Sequence, residues 1–259
     1  MTHLVSLHSY RGGTGKSNFT ANVAWWLARS GMNVGVVDTD LQSPGVHMVF
    51  QFDTSRLTFT LSDFLFGKCG VEEAAYDIGP DVELDQESHG RLVLLPSSMT
   101  VEAISRILAE GYDVARLNES LTTLGMSLGL DAILLDTHPG LNRETMLSIS
   151  ISNLQLILVR PDTQDFHGTA VLLEVARRLN VPKTFLVANK VVASSSRADM
   201  ERMVSEAFES EMIGCVPLSE DMAGLGSRGL FSLKYKSHPI AREFHDIATR
   251  IRAELDQDR

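Results

Sequence analysis

The chain has 259 residues, 44% hydrophobic, 22% charged and 7% aromatic, with a formal net charge of −10. That describes an ordinary globular protein with a large core and one or two domains, not a disordered or low-complexity chain. No stretch reaches the ~18 consecutive apolar residues of a membrane span, and Cys69 and Cys215, far apart and outside any CxxC, suggest neither a disulfide framework nor a cysteine-rich metal or cluster site.

The opening MTHLVSLHSYRGG has no basic n-region followed by an apolar run and cleavage site, so it does not read as a secretory signal, and a reducing cytoplasm is the default. LVSLH (4–8) is a predicted strand running into the glycine-rich RGGTGKS. SNFTANVAWWLARSG follows as a helix, with Phe19, Val23, Trp26 and Leu27 near helical spacing and Gly31 as its stop. At least one of Trp25 and Trp26 is expected in the core. NVGVVDTD (33–40) reads as a strand buried on both faces. Residues 71–90 hold seven acids and no Lys or Arg, so this block carries −7 of the net charge; it reads as a solvated surface insertion. RLVLLPSS (91–98) is a strand, and 100–110 and 113–128 are helices. DAILLDTHPG (131–140) is a strand ending in a turn. LQLILVRPD (154–162), TFLVANK (184–190) and MIGCVP (212–217) are further strands, with helices near 165–179, 197–210 and 240–256. In the last helix Ile247, Ile251 and Leu255 form a stripe that reads as core-docking, not as a membrane anchor, because the polar face carries acids. The alternation predicts βαβ units: an α/β fold with a doubly wound, mostly parallel sheet, as one domain over 1–259.

The chemistry gathers at the ends of the strands. Gly12, Gly13 and Gly15 allow a tight turn with successive N–H groups aimed at phosphate oxygens, and the helix starting near Lys16 adds its dipole. Lys16 places a charge on the β/γ-phosphates and Ser17 a hydroxyl on Mg²⁺. The usual pattern G-x-x-x-x-G-K-[ST] would put glycine at position 10, where Tyr10 stands. Asp38 and Asp40 end the second strand, facing the ligand crevice. Asp136 ends a buried strand, the arrangement that delivers one acid to Mg²⁺ directly or through water. His8 reads as partly buried and structural, and His138 as a polar turn residue. Asn189-Lys190 lacks the following acid of a guanine-reading NKxD, while the Asn189 amide offers a donor and an acceptor to an adenine edge. ATP is therefore preferred to GTP.

RGGTGKS, VVDTD (36–40) and LLDTHPG (134–140) together resemble the ParA/MinD family of deviant-Walker ATPases, whose loop reads KGGxGK[ST] and does not require glycine at position 10. The resemblance runs on through 156–179, 185–191 and 211–217 and is weakest over 50–90. It implies a nucleotide site of Gly12, Gly13, Thr14, Gly15, Lys16, Ser17 and Asn18, with Asn189 and Pro217 near the base. It implies a catalytic set of Lys16, Asp40, which positions the attacking water, and Arg11. Asp38 would support the Mg²⁺ shell beside Ser17 and Asp136, and residues 136–140 would be the switch sensing the γ-phosphate. It further implies an ATP-state homodimer in which Arg11, standing where the family has lysine, reaches the partner's phosphates. Arginine keeps the charge there but is not equivalent to lysine; it can act as a trans-acting finger, or change dimer geometry or slow hydrolysis.

The resemblance also implies a positioning or partitioning cycle stimulated by a partner protein. The leading version uses non-specific DNA as its surface, which places the protein at the nucleoid, through Arg228, Lys234, Lys236, Arg242, Arg250 and Arg252. These six cations face two acids over 228–252, a local +4. A solvated helix-and-loop surface explains the same cluster. Two other readings stay open: a nucleotide-gated adaptor that recruits a protein partner without DNA, and a metabolic enzyme of the same fold.

Overall fold

The computed structural model describes residues 1–85, 89–192 and 194–257; Glu87 of the acidic block and Asp258 and Arg259 of the tail lie outside them. In chain order the elements are β1 (His3–His8), α1 (Lys16–Arg29), β2 (Val34–Asp38), α2 (Val46–Val49), α3 (Leu61–Leu65), β3 (Tyr76–Asp77), β4 (Leu92–Leu95), α4 (Val101–Glu110), α5 (Val114–Ser127), β5 (Ala132–Asp136), α6 (Arg143–Ser150), β6 (Leu154–Val159), α7 (Thr163–Arg178), β7 (Lys183–Val191), α8 (Arg197–Phe208), β8 (Met212–Pro217), α9 (Glu220–Leu225), α10 (Phe231–Lys234) and α11 (Pro239–Gln257). The strands form one sheet in the order β3-β4-β2-β5-β1-β6-β7-β8. Every pair is parallel except β3–β4. This is the doubly wound α/β sheet expected from the alternation.

Strands β1, β2, β4, β5 and β6 are buried along their whole length. Their sequences are therefore continuous apolar runs, since both faces are covered by helices. Side chains still alternate. Val5, Leu7, Val34, Val36, Leu92, Leu94 and Leu134 pack with α1, α2, α10 and α11. Val37, Val93, Leu95, Ile133 and Leu135 pack with α3, α4 and α5, and Ile157, Leu186 and Ala188 with α7 and α8. Ile247, Ile251 and Leu255 of α11 are buried in the first of these clusters, as the stripe predicts.

Trp25 fills the core position on α1, with its Nε1 donating to the Val82 carbonyl at 2.9 Å, and Trp26 is half-buried. The partner of that bond sits in the acidic block. Glu72, Glu73, Asp81 and Glu83 are exposed, while Val71, Ala74, Ile78, Val82 and Leu84 are buried between them. The segment thus does more than decorate the surface: it supplies the antiparallel edge strand β3 and closes one end of the core. Its acids are partly neutralised, with Asp81 on Arg56 at 2.6 Å, Asp77 on Arg91 at 3.2 Å and Glu83 on Lys236 at 2.9 Å.

Several short elements are absent from the sequence reading: α2, α3, β3, α6, α9 and α10. Three of them carry legible start signals, the first being the Thr60–Asp63 capping box of α3. Asn142 and Thr145 form a reciprocal capping box on α6, and Ser219 caps α9 by accepting from Met222 N at 3.3 Å.

Candidate functional site

The site sits at the C-terminal ends of β1, β2, β5 and β7, where the strand order turns back around β1. Helix α1 starts at Lys16 without a side-chain cap, so its first N–H groups are left to a ligand. Gly13 and Gly15 have φ of 73° and 93°, a left-handed backbone that L side chains rarely adopt. A Cβ on Gly15 would also stand 3.0 Å from Asn189 Nδ2. The loop is braced from β7: Asn189 Nδ2 donates to Thr14 O and Lys190 Nζ to Gly13 O, both at 2.7 Å. Asn189 is therefore first a support of the phosphate loop. Its remaining amide hydrogen and oxygen lone pair are what it can offer a base.

Two adjoining pockets share Gly15 and Asn18. One is a cleft of about 380 Å³ that brings Gly12, Gly13, Thr14, Lys16, Ser17 and Asp40 together with His138 and Pro139 of the switch. Pro139 lies against Gly12, where a Cβ would stand 3.7 Å from its ring, and Gly140 N donates to Ser9 O at 2.9 Å. Switch and loop are thus in direct contact. The other pocket, about 230 Å³, joins Asn189 and Pro217 to Leu218, Met222, Ala223 and Gly226. The residues of α9 and the loop after it are the part that sequence reasoning missed. Ser43, Gly45, Met48 and Ser227 are further cleft residues it did not single out.

The three aspartates have separate environments. Asp40 lines the cleft and accepts from Ser43 N at 3.1 Å. Burial raises its pKa, opposed by His138 and Lys16. Asp38 is fully buried and does not line the cleft. Its Oδ2 accepts from Gly45 N at 3.0 Å and Val46 N at 3.3 Å, and its Oδ1 from Asp40 N at 3.2 Å. In this geometry it anchors the 40–46 loop that presents Asp40. Asp136 is its register partner on β5, also fully buried. Asp136 Oδ1 accepts from Thr20 at 3.1 Å, and its Oδ2 has no partner among the described residues. Burial first and the Asp136 charge second hold Asp38 well above the ordinary carboxylate range.

A divalent cation fits this arrangement. An orphaned buried carboxylate oxygen and a crowded acid pair lie behind Lys16, and the Ser17 hydroxyl faces the cleft. Among the described residues no group of three or more His, Cys, Asp or Glu side chains is placed to hold a metal alone. That suits Mg²⁺, which keeps waters and takes the rest of its ligands from phosphate oxygens.

Arg11 lies outside both pockets. Its guanidinium sits 3.4 Å from Asp162 and 3.6 Å from Asp165 at the start of α7, a pair also engaged by Arg160 at 3.3 and 2.7 Å. Next to it the Tyr10 ring packs on α7 where only Gly168 leaves room. His8 is fully buried, beyond the partial burial expected. Its Nδ1 meets the Thr137 hydroxyl at 2.7 Å, and that hydroxyl donates to Leu7 O at 2.8 Å, so His8 Nδ1 carries the proton. Burial and then the Lys16 charge push the His8 pKa down to about 3.

The six cations of 228–252 do not form one open row. Lys236 pairs with Glu83, Arg250 with Glu211 and Glu254, and Arg252 with Asp256. Arg228 donates to Gly224 O and Arg242 to Ser237 O, and Lys234 lies over the Tyr235 ring. Among the described residues no helix is long and apolar enough to cross a membrane.

Residues 2–185 match the family described as AAA domain. This chain belongs to the ParA/MinD family of P-loop ATPases. Among its relatives is the uncharacterized ATP-binding protein MJ0547 of Methanocaldococcus jannaschii, 23% identical over 252 residues, covering 97% of this chain and 88% of that one. The cell division ATPase MinD of Pyrococcus furiosus superposes with a TM-score of 0.82 at 24% identity, over 98% of this chain and 99% of that one. The septum site-determining protein MinD of Pyrococcus horikoshii, solved with Mg-ADP, superposes with a TM-score of 0.79 at 22% identity, over 97% and 96% of the two chains. The fold of the ParA/MinD family is thus the fold of this chain.

Proposed function

We propose that this protein is an ATP-driven switch. Mg-ATP joins two copies, hydrolysis releases them, and the cycle positions or partitions a cargo. The observation that carries the reading is the convergence of Lys16, Ser17, Asp40, His138 and Pro139 on one cleft, adjoining a base-sized pocket at Asn189 and Pro217. The cell-division relatives support the positioning role.

In this reading the loop N–H groups and Lys16 hold the phosphates. Ser17 faces the cation, with Asp136 backing its water shell. When bound, Mg²⁺ neutralises the charge developing on the transferred phosphoryl group. Asp40, steadied by the Ser43 N–H and the Asp38-anchored loop, orients the attacking water. Arg11 swings from Asp162 and Asp165 to the partner's phosphates, where an arginine stabilises the transition-state charge. A partner protein stimulates the cycle. The surface in this reading is non-specific DNA, met by the cations of 228–252, of which Arg228, Lys234 and Arg242 make no ion pair among the described residues; a salt-sensitive shift of random duplex DNA by the ATP state is the expected result, and no shift would remove DNA from the cycle.

The test is the solution mass of Asp40→Ala in Mg-ATP and in Mg-ADP. The expected result is a dimer with ATP and a monomer with ADP. A monomer in both, at concentrations where bound ATP is measured directly, rejects the switch and brings the adaptor or metabolic reading forward.

A further inference from the structure

A further pocket, of about 270 Å³, lies at the far end of α1, lined by Trp26, Arg29, His245, Ala248, Thr249 and Arg252. The helix has 14 residues, so about 20 Å separate this pocket from Lys16. Among the described residues no carboxylate lines it. The Arg29 guanidinium lies 5.2 Å from the Trp25 ring centre and 5.9 Å from that of Trp26, and it makes no hydrogen bond or ion pair among the described residues. It is half-buried, and its N–H donors are unspent. Arg252 stands across from it, with one Nη1 donor on Ser30 O and Nε 3.6 Å from Asp256. That bond also covers a carbonyl at the negative end of α1, which would otherwise oppose an anion. Trp26 is held as a fixed wall by Nε1 on Ser232 Oγ at 3.1 Å and by the edge-on His245 ring at 4.8 Å. His245 Nδ1 is taken by Asp246 at 3.1 Å, leaving Nε2 without a bond among the described residues.

Two guanidiniums, an indole wall and an apolar floor at Ala248, in a chain of net charge −10, make a hollow of opposite sign to the molecule around it. A guanidinium fork matches the planar carboxylate, and an aromatic face suits a flat apolar body. The volume falls just below the usual range for small-ligand sites, which suits a one-ring molecule. We propose that this pocket binds a small planar carboxylate, with Arg29 and Arg252 gripping the carboxylate and Trp26 stacking on the ligand body. The proposal does not depend on the switch reading, because the nucleotide cleft lies at the other end of the helix.

The experiment titrates the full chain with benzoate, following the combined fluorescence of Trp25 and Trp26 and, in parallel, calorimetric heat. Benzamide is the neutral control, and each titration is repeated in saturating Mg-ADP. The expected result is saturable benzoate binding with a Kd of about 1 mM or tighter, no benzamide binding, and no competition from Mg-ADP. Arg29→Gln should weaken benzoate about tenfold or more while leaving nucleotide binding unchanged. Arg29→Lys, which keeps the charge without the fork, should recover only part of the loss. Equal binding of benzamide, displacement by Mg-ADP, no saturation, or an unchanged Kd in folded Arg29→Gln would each overturn the proposal.

Discussion

Lys16 and His8 flank the same loop, at the start of α1 and the end of β1, and answer to different physics. Lys16 is the one cation of the loop that lines the phosphate cleft, so Lys16→Ala is expected to abolish ATP binding in a fluorescent-nucleotide titration, with an unchanged circular dichroism spectrum. His8 is held neutral by burial, with its folded pKa near 3 against an ordinary 6.5. Between these values the unfolded chain binds the extra proton, so stability is lost as pH falls from about 6.5 toward about 3. His8→Gln is expected to flatten that acid limb in urea unfolding, by on the order of 4 kcal/mol across the window. A slope identical to that of the wild type would mean that His8 does not set it. At this scale the shared cleft of Lys16, Ser17 and Asp40 is legible, because a glycine-rich loop after a strand and acids at strand ends are local patterns. The anchoring role of Asp38 is not, because it depends on the 40–46 loop folding back so that Gly45 and Val46 offer their N–H groups.

Helix α7 shows what an element adds. Asp162 caps it by accepting from Asp165 N at 2.9 Å, and the same two acids receive Arg11 and Arg160. One turn further, Gly168 admits the Tyr10 ring. Gly168→Ala would drive a methyl group into that ring, an overpacking expected to cost about 1–3 kcal/mol. Tyr10→Ala should cancel most of this in a double-mutant cycle of chemical unfolding. Additive losses would show that the two do not share the contact. The helix itself was legible from its apolar spacing. Its role as the seat of Arg11 was not, because nothing in a local window pairs residue 11 with residues 162 and 165. The short helices α2, α6 and α9 escape periodicity for a simpler reason: with eight residues or fewer they complete too few turns for a 3.6-residue repeat to emerge, and only α6 and α9 carry a side-chain cap that betrays them.

The whole molecule gathers loop, switch and aspartates along one edge of the sheet and leaves Arg11 beside that edge, tied to acids of its own chain. Arg11→Ala is therefore expected to bind ATP as the wild type does but to lose ATP-dependent dimerisation and turnover, with Arg11→Lys recovering both in part. Unchanged mass and hydrolysis in Arg11→Ala would remove the residue from the mechanism. The acidic block shows the same division between sequence and fold. Its charges are solvated, as its composition predicts, yet Val82 and Leu84 between them seal the core against Trp25. Of the basic run of 228–252, Lys236 and Arg250 pair with partners as remote as Glu83 and Glu211. The order of the long strands and helices, the mostly parallel sheet and the phosphate-loop pattern follow from sequence alone, because burial on both faces and glycine-rich turns leave marks within a few residues. Which charges stay free, which acid meets the cleft and which helix completes the base pocket were decided by the tertiary structure, because ion pairs and pocket walls join residues that only the packed sheet brings within a few ångströms.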